Sequence, residues 1–125
     1  MKNFYSFLLV CILALGAYVP QAVAGTLTLT DSADIRDAQA LDDALGNVSS
    51  AVTGCMDMGR NNTQCQCENL DIIHEFNGLY KETIVLHPDW KEQSIYYQKP
   101  NGQGVTIMFS ALRRQSEAID NLVCE

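Results

Sequence analysis

The spacing in this chain most open to chemistry is Cys65-Gln66-Cys67. Two thiols this close can hold a soft metal ion or exchange disulfides, and Cys55-Met56-Asp57-Met58 adds thioether sulfurs of the kind that Cu(I) accepts. If Cys55, Cys65, Cys67 and Cys124 were all reduced, they could form a thiolate site completed by His74 or His87. That is the metal-binding or thiol-redox reading, and it competes with a structural one. An even set of cysteines in a short exported domain is normally a disulfide framework. Cys65 and Cys67 are too close in sequence to bridge each other without strain, which leaves two of the three pairings. Cys55 with Cys65 and Cys67 with Cys124 is the preferred set, and the swapped set stays open. The structural reading is favoured, with no cofactor and no metal site expected.

Oxidation presupposes export, and the start of the chain supplies the argument. Lys2 precedes an unbroken apolar run from Phe7 to Val19, followed by Pro20 and the small-residue triplet Ala22-Val23-Ala24 before Gly25. A basic start, an apolar middle and an A-x-A site describe a secretory signal peptide, residues 1–24, cut after Ala24. The run is too short for the roughly 20 apolar residues of a membrane span. Val10 precedes Cys11, where a bacterial lipoprotein needs a small residue, so lipid anchoring is rejected. The expected mature chain, residues 25–125, is a single domain that works in the periplasm or outside the cell.

Other reactive side chains lack a defensible arrangement. Asp71, His74 and Glu75 share one side of a helical stretch at a spacing that can place carboxylate and imidazole on one ion, yet that side lies opposite the apolar stripe and reads as solvated surface. His87, next to Pro88, is expected to hydrogen-bond locally in a helix-ending turn. Ser110 and the two histidines have no G-x-S-x-G elbow or other local link, so no catalytic residues are assigned and the chain is read as a non-enzyme. Asn47-Val48-Ser49 and Asn61-Asn62-Thr63 match the glycosylation pattern, and chance matches explain them as well. The aromatics Trp90, Tyr96, Tyr97 and Phe109 remain as a candidate binding surface, because Trp and Tyr bury large areas at little entropic cost.

Charge narrows the partners. The chain carries 8 basic and 15 acidic residues, a net charge of −7, and loss of Lys2 makes it −8. Phosphate backbones and anionic lipid surfaces repel such a surface, so nucleic acid is excluded as a partner and a cationic protein or peptide is easier.

The elements that must position these residues follow from periodicity. Thr26 to Thr30 alternates as a short edge strand. From Ser32 to about Gly54, Ala38, Leu41, Leu45, Val48, Val52 and Cys55 recur at three and four, one face of a helix with acids Asp31, Asp34 and Asp37 at its positive end. Residues 59–63 read as a loop, and a second helix runs from about Glu68 to Leu86, ended by Pro88. Gln93 to Gln98 and Val105 to Phe109 alternate on either side of a turn-rich segment, which makes a hairpin. A third helix runs from Ser110, its cap, to Cys124, with Leu112, Ile119, Leu122 and Val123 inward. The expected fold is α+β: three helices packed with a β-hairpin, a short N-terminal strand as a third, and two disulfides. The function expected of it is protein binding, as an accessory, adaptor or inhibitor module.

Overall fold

The computed structural model describes residues 25–125, and the expected signal peptide lies outside them. The chain runs β1 (Thr26–Thr28), α1 (Ser32–Asp57), α2 (Asn62–Glu68), α3 (Leu70–Leu86), a 3-10 turn (Pro88–Trp90), β2 (Ser94–Gln98), β3 (Gly104–Met108) and α4 (Phe109–Asp120). This is an α+β fold with four helices and a three-stranded sheet.

In the sheet β2 is central. It pairs antiparallel with β3, Ile95 opposite Ile107, and parallel with β1, Leu27 opposite Ile95. The first described residue already takes part, since Gly25 O accepts a hydrogen bond from Ser94 N at 2.7 Å. Alternation puts Ile95, Tyr97 and Ile107 on the helix-facing side, and all three are buried. On the outer side the Tyr96 ring crosses Gly104 so closely that a Cβ there would meet its hydroxyl at 2.8 Å, so that position admits only glycine without a shift. Gly102, at φ +86°, supplies the left-handed step of the hairpin loop.

The helices cover the inner face. α1 begins where the Asp31 carboxylate accepts from the backbone N–H groups of Ala33 and Asp34, filling donors that a helix start leaves unpaired. Ala38 and Leu41 on α1, Phe76 and Tyr80 on α3, and Phe109 and Leu112 on α4 join Leu29, Trp90 and the inward strand residues in one core cluster.

Three boundaries differ from the sequence reading. The second helix is two helices: Asn61 and Gln64 form a capping box that starts α2 inside the expected loop, and Asn69 separates it from α3. The last helix begins at Phe109 with Met108 at the cap and no side-chain capping bond, so Ser110 is not its cap. It also stops at Asp120, where Asn121 turns its side-chain amide back to donate to Glu117 O at 2.8 Å. Val123 therefore lies in the tail, 77 % exposed rather than inward.

Candidate functional site

The sulfurs settle first. Cys55 is bridged to Cys65 and Cys67 to Cys124, with Cα separations of 5.5 and 5.6 Å, inside the usual span of a disulfide. α2 explains why neighbouring cysteines take different partners. Two residues on a helix lie about 200° apart, so Cys65 faces inward to the end of α1 while Cys67 faces the C-terminal tail. Arg60 and Glu68 form an ion pair that spans α2 from its leading turn to its last residue. With each sulfur committed to a bridge, Cys65 and Cys67 present no thiolate. Among the described residues no three His, Cys, Asp or Glu side chains gather as metal ligands.

His74, with Asp71 and Glu75, is exposed on the outer side of α3. His87 departs from expectation. Its backbone N–H does close the helix end on Thr83 O, but its ring reaches across to α1. Nε2 lies 2.9 Å from Asp37 Oδ2, and Nδ1 lies 3.9 Å from Asp34 Oδ1. The ring stacks on Trp90 with centroids 3.8 Å apart and planes within 6°. A histidine with a carboxylate toward each nitrogen and an indole against its face is a clasp between the start of α1 and the corner after α3. Among the described residues its ring hydrogen-bonds to Asp37 and not to a serine or cysteine.

The aromatic surface expected around the hairpin does not form. Trp90 is 2 % exposed and Tyr97 and Phe109 are 0 % exposed, because the inward side of β2, the 3-10 turn and the first turn of α4 all close on the same core. Trp90 and Phe109 meet edge to face at 5.7 Å, a packing contact. Tyr96 alone keeps part of its ring at the surface, beside Thr28, Arg36 and Lys99. The Tyr97 hydroxyl is buried, and among the described residues it finds no hydrogen-bond partner. Burial first, and the carboxylates of Asp42 and Asp43 second, push its pKa from 10.0 up to about 12.

What the helices leave open is a groove. The α1 stripe read from the sequence as wholly inward is buried only at Ala38, Leu41 and Cys55. Leu45, Val48 and Val52, its middle, are half-buried and form one wall. Ile73 and Phe76 of α3 make the floor, and Gln115, Ala118 and Ile119 of α4 make the other wall, enclosing about 400 Å³. The lining is mostly apolar, the ordinary character of a binding groove. Its far wall is held in place by a polar bridge between α3 and α4. Ser116 Oγ donates to Asn77 Oδ1 at 2.5 Å, Asn77 Nδ2 donates to Asp120 Oδ1 at 2.9 Å, and Lys81 Nζ donates to the same oxygen at 2.8 Å. These bonds, Lys81 before Asn77, hold the Asp120 carboxyl below its ordinary range. Sequence periodicity named Leu45, Val48, Val52 and Ile119 but placed them in the core, and gave no sign of Gln115 or Ala118. The difference lies in length: α1 runs for 26 residues and has only 17 on α3 and 12 on α4 to cover it.

No protein-family model, curated protein or solved structure matches this chain.

Proposed function

We propose that the mature chain is an exported, non-enzymatic module that captures another protein in the groove between α1, α3 and α4. One observation carries the reading: a well-formed apolar stripe on α1, Leu45, Val48 and Val52, left half-covered above a floor of Ile73 and Phe76. Apolar side chains lined up along a groove gain free energy when a partner removes them from water, by about 25 cal/mol per Å². Export to the periplasm or extracellular space is supported by the two disulfides and by the basic, apolar, small-residue order of residues 1–24. Recognition by an inhibitor, adaptor or envelope accessory factor fits a rigid stapled frame, because a preformed groove loses little conformational entropy on binding.

The test is site-specific photo-crosslinking of the exported chain in its native compartment, with the reactive group at Val52 or, as control, at Lys99. A discrete one-to-one protein adduct from Val52, lost when Ala118→Lys fills the groove and absent from Lys99, is the expected result. Equal yields from the two positions, or adducts unaffected by Ala118→Lys, refute the reading.

A further inference from the structure

We propose that the occupant of this groove is a cationic amphipathic helix of a partner protein, an inference that rests on the groove being the capture site. Shape comes first. From Leu45 to Val52 the α1 wall rises roughly 11 Å, two helical turns, which matches the reach of apolar anchors spaced i, i+3 or i+4, and i+7 on a docked helix. Beside that wall α1 carries a run of small residues, with Asn47 the larger exception. Gly46, Ser49 and Ser50 flank it, and nothing lies within 4 Å of where a Gly46 Cβ would sit, so a second backbone can approach closely.

Charge selects among helices. Asp42 and Asp43 stand one turn before Leu45 and border the open stretch of α1 through Gly46, Ser49 and Ser50. Among the described residues neither carboxylate is in an ion pair; Arg60, Lys81 and Arg113 are engaged with acids elsewhere, and Arg36, Lys91, Lys99 and Arg114 pair with no acid. One end of the wall thus carries two carboxylates outside any ion pair, which attract lysine or arginine flanking an apolar stripe. The same charges disfavour a second copy of this chain, which would set two net charges of −8 face to face.

The experiment uses the oxidised chain 25–125 and a fluorescein-labelled peptide with leucine at i, i+3, i+4 and i+7 and lysine at the other positions. The controls are its scrambled version and an analogue with glutamate for every lysine. The expected result is saturable one-to-one binding of the lysine peptide alone, weakened about tenfold by Asp42→Lys with Asp43→Lys and weakened again as salt is raised. Ala118→Lys, at an exposed position, should weaken it at least as much, with the circular dichroism of every variant unchanged. Equal affinity for the lysine and glutamate peptides, or for the scrambled peptide, overturns the inference, and so does a Kd that ignores salt, which needs no variant. Self-association of the unliganded chain abolished by Ala118→Lys also overturns it, in favour of a second copy. If charge has no effect but Ala118→Lys still blocks peptide binding, the occupant is wrong and the groove stands; if Ala118→Lys changes nothing, the groove falls too.

Discussion

Replacing both cysteines of the Cys67–Cys124 bridge by alanine is the most informative perturbation of this fold. That bridge closes a loop of 57 residues, against 10 for Cys55–Cys65. In the chain-entropy account the longer loop stabilises the folded state by about 4 kcal/mol and the shorter by about 3, through the freedom each removes from the unfolded chain. A small domain has only about 5–15 kcal/mol in total, so Cys67→Ala with Cys124→Ala should bring the fold near its limit and lower the melting midpoint by roughly 15 to 30 °C. Packing complicates a simple ranking. Cys55 and Cys65 are buried, so their replacement also leaves a cavity and adds a cost unrelated to entropy, while Cys67 and Cys124 are only half-buried. The denaturant slope separates the two effects, because an uncrosslinked unfolded chain exposes more surface and the slope rises with that surface. Urea unfolding followed by circular dichroism should give a larger slope for both double variants, with the greater rise in Cys67→Ala/Cys124→Ala. A thiol count on the unfolded, unreduced wild-type chain 25–125 should read zero. An unchanged slope, or a greater rise for the 10-residue loop, would refute the entropic reasoning.

Tyr97→Phe removes a buried hydroxyl without a partner, so it should leave stability at neutral pH unchanged or slightly raised. The raised Tyr97 pKa means that the folded state favours the neutral phenol; this contribution is complete below pH 10.0 and is lost between there and about 12, so the variant should unfold less steeply in alkali. Asp120 has the opposite sign. Its lowered pKa makes a contribution present above the ordinary 3.8 and lost as pH falls through the lower folded value, so Asp120→Ala should flatten the acid limb of the stability curve, read as melting midpoint against pH below 4. His87→Ala should cost about 1–3 kcal/mol from the lost Trp90 stack and Asp37 bond, and a double-mutant cycle with Asp37→Ala in urea should show a coupling of about 0.5–1 kcal/mol, reduced because Asp37 is partly solvated. Additivity within error would remove the clasp from the account.

Local chemistry was legible in the sequence wherever one element decides its own structure. Asp31 at the start of α1, Pro88 after α3, the turn residues 99–104 and the period-two strands all act over a few positions, and each appears where local rules place it. The cysteine pairing was legible only in part: strain in the C-x-C removed one of three sets, and the choice between the other two follows from α2, which turns Cys65 to Cys55 and Cys67 to Cys124. The capping box at Asn61 was equally local, yet the Asn-Asn-Thr composition read as loop, and the box shows only once Gln64 is set three residues on. The His87 clasp was not legible, since its partner on α1 lies 50 residues away.

The groove was misread for a different reason. Helical periodicity reports which side chains are apolar, and it cannot report whether a neighbour is long enough to cover them. On α1 the pattern holds unbroken from Ala38 to Cys55, and sequence alone equates the whole stripe with core. Coverage is set by lengths on other elements: α4 ends at Asp120, and the tail beyond it is drawn to Cys67 by the second bridge. That bridge therefore anchors the tail that follows α4 to the end of α2. Releasing Cys124 should expose this anchoring: in Cys67→Ala/Cys124→Ala under conditions where the fold persists, amide exchange at Ala118 and Ile119 should accelerate more than at Ile95 or Ile107 in the sheet. Uniform acceleration across all four positions would mean that the bridge acts on global stability alone and has no part in holding the end of α4.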